Sequence, residues 1–329
     1  MVRYIHTNAA VTCSGGIGPV ILNPTMAQRM LNASICAYNI TPHGFSPDCE
    51  YWNLIKSTGD VSVITADPGH LNPAIDAGFV TTTTDGWVVL SLRGTLGSYN
   101  GFESFIAFLK DWWEDSESRL VPFFLGGIYM GQVHNGFYKA YLYMLSKVQT
   151  ALDGVDWANV KGLQVTGHSK GAALTFLFAA WAKKKYMPSG LKTVEVNAFA
   201  APLVGDHHFS VLYQALNIPT IRHQRAHDIV PFLPPYDSYD IFDHFHFYNS
   251  WTATALQVIG LDIHTGYHLT GDVIYYPGTI PGKVSPVAGS QAELESQQAI
   301  ITAIKDNKSS EIEGAHSATL SYHPALFPT

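Results

Sequence analysis

The stretch that decides the fold is Leu163-Gln-Val-Thr-Gly-His-Ser-Lys-Gly-Ala172, in which a short apolar strand leads into a Gly-x-Ser-x-Gly pattern. A strongly helical segment, 170–186, begins within the pattern itself. The glycines Gly167 and Gly171 allow the tight strand-to-helix turn that lifts a serine side chain clear of the sheet edge. The first turn of the helix also offers backbone N–H groups to developing negative charge. The pattern therefore predicts that Ser169 is a nucleophile at the end of a strand.

The rest of the chain alternates short apolar runs with helical segments. Predicted strands lie at 86–93, 163–167, 193–200, 219–225 and 271–276, and predicted helices at 25–38, 136–152, 170–186 and 291–305. The run 86–93 is almost unbroken in its apolar character, which is typical of a strand buried on both faces of a parallel sheet. The alternation predicts an α/β fold with a mainly parallel sheet and helices on both faces. We expect one domain over residues 1–329, with 1–60 as an N-terminal extension.

Composition narrows the class of protein. The 329 residues carry a net charge of -7 and no long basic run, so electrostatic binding to nucleic acid is not expected. No run of 18 or more apolar residues is present, and no transmembrane segment is expected. The N-terminus lacks the basic start and apolar core of a signal peptide. The location is left open, with secretion after removal of a signal slightly favoured over the cytoplasm.

The cysteines and histidines give no pattern of a metal or cofactor site. Cys13, Cys36 and Cys49 form neither a Cys-x-x-Cys pair nor a Cys/His array, so structural zinc is not expected. One disulfide with one free thiol and three reduced thiols both fit the sequence. Asp243-His-Phe-His246 would place two imidazole rings on one face of a strand, but no third ligand is evident. We therefore expect neither a metal nor a cofactor.

A serine hydroxyl needs a neighbouring base, usually a histidine oriented by a buried acid, and in this kind of fold the chain order is Ser, Asp, His. The acid is expected just past a strand that follows the strand-to-helix turn at Ser169, the nucleophile elbow. Asp228 occupies that position, after the predicted strand 219–225. Asp206 is the second candidate, although a helix-capping role suits it better. Three further aspartates are interpreted as turn residues: Asp237, Asp240 and Asp243.

The base is expected in the loop after the last strand. The histidines that follow Asp228 are His244, His246, His264, His268, His316 and His323. With the last strand placed at 271–276, His316 and His323 remain. The small neighbours of His316 favour it, whereas His323 precedes Pro324 near the chain end. His268 stays a candidate only if the last strand lies elsewhere.

With these residues in place, the chain resembles the class 3 lipase family, which includes the fungal triacylglycerol lipases. Six segments carry the resemblance in the family's order: Trp87-Val-Val-Leu-Ser-Leu-Arg-Gly-Thr95, Val133-His-Asn-Gly-Phe137, Val165-Thr-Gly-His-Ser-Lys-Gly-Ala172, Phe199-Ala-Ala-Pro-Leu-Val-Gly205, His227-Asp-Ile-Val-Pro-Phe-Leu-Pro-Pro235, and Gly314-Ala-His316 with Tyr322. Lys170 stands where the family usually has leucine, and Ala172 where it has a second glycine. The separation of Asp228 from His316 is longer than is typical of the family.

The resemblance implies an α/β-hydrolase fold and a set of site residues. Ser169, Asp228 and His316 match the family's catalytic triad. Thr95 matches its first oxyanion-hole residue, and Lys170, directly after the nucleophile, supplies the second backbone N–H. The resemblance therefore indicates a serine ester hydrolase.

It also implies a lid at about 96–114. Apolar residues there recur at the spacing of one helical face and are followed by two tryptophans: Phe102, Phe105, Ile106, Leu109, Trp112 and Trp113. Periodicity alone favours a permanently buried stripe, and it is the position in the family pattern that favours a lid. A lid of this kind covers a substrate groove until it meets a lipid–water interface.

The expected function is hydrolysis of lipid-like carboxylic esters, first of all triacylglycerols, through an acyl-enzyme on Ser169. Phospholipase A1, short-chain carboxylesterase and feruloyl esterase activities would use the same machinery, because specificity depends on loop and lid shape. The alternative from a different class is a non-catalytic binding protein that keeps the elbow but lacks the base. It would require that neither His316 nor His323 reaches Ser169 in the folded chain.

Overall fold

The computed structural model describes most of the chain. The residues described are 10–11, 20–21, 24–41, 44–45, 48–66, 77–95, 104–105, 107, 119–234, 266–278 and 287–327.

An eight-stranded sheet forms the centre of this structure. In spatial order its strands are Val287–Ala288, Asp272–Tyr276, Thr220–Arg225, Val194–Phe199, Gly162–His168, Trp87–Leu92, Ala77–Thr83 and Ser57–Thr65. The five from Asp272–Tyr276 to Trp87–Leu92 are parallel, and the strands at both edges are antiparallel to their neighbours. Because parallel strands end at the same edge, residues that follow them are brought together there.

Helices cover both faces of the sheet. The α-helices of the described residues are Pro24–Cys36, Trp52–Ile55, Asn135–Asp153, Lys170–Tyr186, His207–Ala215, Ser290–Lys305, Ser309–Ala315 and His323–Leu326. Alternate strand residues point to opposite faces. Val88 and Leu90 therefore pack into the core beneath Asn135–Asp153 and Lys170–Tyr186, while Val89 packs with Pro24–Cys36. The α/β-hydrolase fold predicted from the sequence is confirmed, with its five parallel strands buried on both faces.

A second, smaller sheet lies beside the first. Its strands, in spatial order, are Tyr267–His268, Gly205–Asp206, Ile128–His134 and Leu120–Leu125. Two short strand pairs form separate two-stranded sheets, Ala10–Val11 with Val20–Ile21 and Ile40–Thr41 with Gly44–Phe45. None of these strands was predicted from the sequence, and neither were the antiparallel strands Ser57–Thr65 and Ala77–Thr83.

The predicted strands and helices agree with the structure to within two residues, with one correction. The last strand of the sheet is Val287–Ala288 and not the predicted 271–276, which is observed as Asp272–Tyr276. A two-residue strand is too short to show a period in the sequence. The histidines considered for the base, His316 and His323, follow both strands, so the choice between them is unaffected.

A disulfide is observed, which excludes the state with three reduced thiols. Cys36 and Cys49 form a disulfide, with their Cα atoms 5.5 Å apart. Cys13 lies outside the described residues. The disulfide joins the end of the helix Pro24–Cys36 to the turn that precedes Trp52–Ile55.

Three buried histidines make the fold sensitive to acid. Burial lowers the pKa of His134, of His168 and of His223 to about 3. Below pH 6.5 the unfolded chain takes up protons at these rings, while the native state stays neutral. Stability present above pH 6.5 is therefore lost as the pH falls, by about 1.4 kcal/mol per pH unit for each histidine, or about 4 kcal/mol per unit for the three.

Urea unfolding at pH 7.5, 6.5 and 5.5 measures this loss, with the variant His223→Gln expected to reduce the slope by about a third. A free energy of unfolding that stays constant between pH 6.5 and 5.5 would contradict the expectation.

Candidate active site

The strand-to-helix turn at Ser169 has the geometry of a nucleophile elbow. Ser169 joins the strand Gly162–His168 to the helix Lys170–Tyr186, with φ of 58° and ψ of -129°. A positive φ is strained for any residue with a side chain, and such strain persists where the surroundings fix it. A Cβ atom at Gly167 or Gly171 would overlap backbone atoms, those of the helix at Gly167 and those of Leu92 and Arg93 at Gly171. The two glycines therefore permit the close approach that the turn requires.

The structure brings Ser169, His316 and Asp228 into one hydrogen-bonded chain. His316 Nε2 lies 2.9 Å from Ser169 Oγ. His316 Nδ1 lies 3.1 and 3.2 Å from the two carboxylate oxygens of Asp228. All three residues are buried. Nδ1–H donates to the carboxylate, which leaves Nε2 free to accept the serine proton, the arrangement that a general base needs.

Asp228 is held as an anion. It follows the strand Thr220–Arg225 and precedes the 3₁₀ turn Val230–Phe232. Its Oδ2 accepts a 2.7 Å hydrogen bond from the Tyr322 hydroxyl, and its Oδ1 a 3.0 Å bond from the Val230 N–H. Burial alone would raise the pKa of Asp228, but His316 and these donors outweigh it and lower the pKa. The carboxylate is thus ionised where it faces the imidazole.

The contact between Tyr322 and Asp228 was not predicted from the sequence, although Tyr322 belongs to the segment that resembles the family's histidine segment. Its oxygen accepts a 3.1 Å hydrogen bond from the Arg225 N–H, so that its own proton points to Asp228. Burial and the neighbouring carboxylate raise the pKa of Tyr322 well above its usual value. The hydroxyl therefore remains a donor over the whole range in which proteins are stable.

The segment after the strand Trp87–Leu92 passes directly beside the nucleophile. A Cβ atom at Gly94 would lie 3.2 Å from the Cβ of Ser169 and would overlap the carbonyl of His168. Thr95 follows and lines the same cavity as Ser169, with a buried hydroxyl that has no hydrogen-bond partner among the described residues. Lys170 begins the helix on the other side of Ser169. The structure therefore places both predicted oxyanion-hole residues next to Ser169.

A cavity of about 330 Å³ opens over these groups. It is lined by residues from four parts of the chain: Ile35, Tyr38, Asn39, Thr95, His168, Ser169, His316, Ser317, Ala318 and Thr319. Part of the lining comes from the end of the first helix and the turn after it, and part from the residues after His316. Sequence analysis did not predict the contribution of Ile35, Tyr38 and Asn39, because nothing in their local pattern marks a binding role.

Most of the predicted lid lies outside the described residues. Phe102, Ile106, Leu109, Trp112 and Trp113 are among these. Phe105 is described, is fully buried, and has its ring centroid 6.4 Å from that of His316. Phe105 therefore lies beside the base.

The alternative candidates occupy other positions. His323 packs its ring against Tyr51 and Phe327, at centroid distances of 4.4 and 4.3 Å, and does not line the cavity. His268 lies in the smaller sheet. Asp206 caps the helix His207–Ala215 by accepting a 2.7 Å hydrogen bond from the Phe209 N–H, as its position predicted. Asp237, Asp240 and the Asp243–His246 segment lie outside the described residues.

Comparisons with known proteins agree with this geometry. The family model of class 3 lipases matches residues 89–238. No curated protein matches the chain. The match confirms the resemblance to the class 3 lipase family over that segment, which is less than half of the chain.

Solved structures of fungal enzymes share the fold at low sequence identity. Lipase II from Rhizopus niveus is 20% identical with a TM-score of 0.55, over 82% of this chain and 85% of that chain. The Rhizomucor miehei lipase in its propeptide complex is 18% identical with a TM-score of 0.53, over 85% and 76%. A triacylglycerol lipase from Penicillium expansum is 16% identical with a TM-score of 0.53, over 84% and 89%.

Within the described part of the chain, no helix has both the length and the apolar character needed to cross a membrane.

Proposed function

We propose that the protein hydrolyses lipid-like carboxylic esters, first of all triacylglycerols, through an acyl-enzyme on Ser169. The observation that carries the proposal is the continuous chain Ser169–His316–Asp228, with 2.9 Å between nucleophile and base and 3.1 Å between base and acid. It stands against the non-catalytic alternative, which required that no histidine reach Ser169. The Penicillium expansum relative is itself a triacylglycerol lipase, which supports the substrate class.

The geometry supports a two-step reaction. His316 Nε2 takes the Ser169 proton as Oγ attacks the ester carbonyl, and the imidazolium is stabilised by ionised Asp228. The tetrahedral intermediate collapses when His316 returns the proton to the leaving alcohol, which leaves the acyl group on Ser169. Water, activated by the same histidine, then attacks the acyl-enzyme and releases the acid. Backbone N–H groups of Thr95 and Lys170 face the oxyanion, an interaction that is worth roughly 3 kcal/mol per donor.

The cavity favours an apolar acyl group. Ile35 and Ala318 contribute hydrocarbon to its lining, and the buried Phe105 lies beside the base. We propose that the segment 96–114, which includes Phe105, is a lid on a single domain formed by residues 1–329. Its apolar face would then be exposed when the enzyme meets a lipid–water interface.

A substrate series tests the proposal. Purified protein is assayed on p-nitrophenyl esters of two to sixteen carbons, on emulsified tributyrin and trioctanoin, on phosphatidylcholine vesicles and on methyl ferulate. We expect hydrolysis of the triacylglycerols, with a rate that rises sharply when droplets form. Faster hydrolysis of phosphatidylcholine would identify the protein as a phospholipase, and faster hydrolysis of methyl ferulate as a feruloyl esterase. Absence of hydrolysis on every substrate would refute the proposal.

Asp228→Asn is expected to lower kcat by about four orders of magnitude with little change in KM. The amide keeps the size of the side chain but loses the negative charge, and it permits the tautomer of His316 that turns a proton toward Ser169. Rates on p-nitrophenyl butyrate at pH 8 measure the effect. Asp206→Asn, which alters a helix cap outside the cavity, is the control and is expected to keep kcat within about twofold. A kcat for Asp228→Asn within tenfold of the wild type would contradict the role of Asp228.

Tyr322→Phe is expected to lower kcat about tenfold. Without the hydroxyl, the pKa of Asp228 rises and the barer carboxylate binds the His316 proton more tightly. The acidic limb of the kcat/KM profile is therefore expected to move to higher pH. The kcat/KM profile is measured from pH 5 to 9. If both kcat and the position of the acidic limb are unchanged, the Tyr322 hydrogen bond is structural only.

A further inference from the structure

The residue before the nucleophile joins the N-terminal wall of the cavity to the base. His168 Nε2 lies 2.9 Å from the backbone carbonyl oxygen of His316, and His168 Nδ1 lies 2.9 Å from the hydroxyl oxygen of Tyr38. The His168 ring also lies close to that of His316, with centroids 4.8 Å apart. The base is therefore in contact with a second histidine that takes no part in the triad.

These contacts determine which ring nitrogen of His168 carries the proton. A carbonyl oxygen only accepts, so His168 Nε2 carries the proton. Burial, together with the nearby His316, lowers the pKa of His168 to about 3, so the ring is neutral and its Nδ1 is an acceptor. The Tyr38 hydroxyl must then donate to Nδ1. Tyr38 thus selects the tautomer in which His168 donates to the main chain of the base.

Tyr38 is itself held on both sides. Two residues before it, Cys36 is tied to Cys49 by the disulfide, and two residues after it, the carbonyl of Ile40 accepts a hydrogen bond from the buried Arg93 guanidinium. The chain is therefore anchored to separate parts of the fold two positions before Tyr38 and two positions after it. A side chain anchored in this way loses little further entropy when it orders its partner.

The helix that leads to Tyr38 is also bonded to the strands beneath it. The hydroxyl of Thr166, on the strand that ends before Ser169, lies 3.1 Å from the Met30 carbonyl oxygen and 2.8 Å from the Ser34 hydroxyl. Ser91, on the neighbouring strand, donates a 2.9 Å bond to the Ala33 carbonyl. The first helix therefore moves with the strands that carry Ser169 and Thr95.

We infer that Tyr38, acting through His168, is a positioning residue for the base His316. The link Tyr38–His168–His316 holds the main chain of the base at the distance from which its ring reaches Ser169. Tyr38 and His316 both lie outside the segment 89–238 that matches the lipase family, while His168 lies inside it. The inference rests on the proposed function, since it assigns a role in the same reaction.

Single and double substitutions test the inference on p-nitrophenyl butyrate, with active enzyme counted by fluorophosphonate titration. Tyr38→Phe keeps the ring and removes the donor, and is expected to lower kcat about tenfold with KM unchanged within twofold. His168→Phe removes both bonds and is expected to lower kcat about a hundredfold. Tyr38→Phe added to His168→Phe is expected to have no further effect, because Tyr38 acts through His168.

His168→Gln separates hydrogen bonding from packing. Its amide offers one donor for the His316 carbonyl and one acceptor for Tyr38, so kcat is expected to recover to within about fivefold of the wild type. The matched control is Tyr213→Phe, which removes a buried hydroxyl that bonds to Thr220 away from the cavity. Its stability loss is expected to resemble that of Tyr38→Phe, with kcat unchanged.

The outcomes are distinguishable. A wild type without esterase activity refutes the proposed function itself. An active wild type whose kcat survives Tyr38→Phe and His168→Phe within twofold refutes the positioning role while the triad stands. Should His168→Phe fail to fold, Tyr38→Phe decides alone, since a kcat equal to that of Tyr213→Phe would overturn the inference.

Discussion

Ser169→Ala is expected to lower kcat for ester hydrolysis by about six orders of magnitude and to leave KM within a few-fold. The substitution removes the protein atom that bonds to the acyl carbon in the proposed mechanism. Residual turnover above the uncatalysed rate would come from the oxyanion donors and from substrate binding, which remain in place. Initial rates on p-nitrophenyl butyrate and on emulsified tributyrin measure the effect, with the enzyme concentration taken from absorbance because the variant cannot be titrated.

The matched control is Ser210→Ala. Ser210 is a buried serine whose hydroxyl donates to the Leu269 carbonyl and does not line the cavity. Its loss is expected to lower stability by about 1 kcal/mol and to leave kcat unchanged. Comparable activity in Ser169→Ala and Ser210→Ala would contradict the assignment of the nucleophile.

His316→Ala is expected to cost nearly as much as Ser169→Ala, again about six orders of magnitude in kcat. Without the imidazole, the Ser169 hydroxyl loses the one acceptor that it has among the described residues, and the leaving alcohol loses its proton donor. His323→Ala is the direct comparison, because the sequence alone left both histidines as candidates. His323 packs on Tyr51 and Phe327, so its replacement is expected to change stability and to keep kcat within about threefold.

The rate of fluorophosphonate labelling is also measured for both variants, because it depends on activation of the serine. Labelling is expected to be lost in His316→Ala and retained in His323→Ala. The reverse result would show that the base is His323, and equal activity of the two variants would show that neither histidine is the base.

The parts of the fold that sequence predicted are those with a local cause. The unbroken apolar run predicts the strand Trp87–Leu92. The glycines at positions where only glycine fits predict the elbow at Ser169. Asp228 and His316 were predicted from chain order relative to the strands, an inference that needs the topology but no distances. The parallel core of the sheet and the choice of site residues therefore followed from short segments.

The parts that sequence missed depend on distant contacts. The antiparallel strands Ser57–Thr65 and Ala77–Thr83 are rich in threonine and serine and show no clean alternation, because their burial comes from neighbours elsewhere in the sheet. Tyr38 meets His168 across 130 positions, and Tyr322 meets Asp228 across 94. A tyrosine that holds a polar site together looks the same in sequence as a tyrosine in an apolar core.

The covalent adduct of a fluorophosphonate tests the nucleophile most directly. The protein is labelled with a long-chain fluorophosphonate, digested, and the modified peptide is sequenced by mass spectrometry. We predict one adduct, on Ser169 in the peptide that contains Gly167-His-Ser-Lys-Gly171, and its loss in Ser169→Ala. An adduct on another residue, or equal labelling of wild type and Ser169→Ala, would contradict the serine ester hydrolase mechanism proposed for this protein.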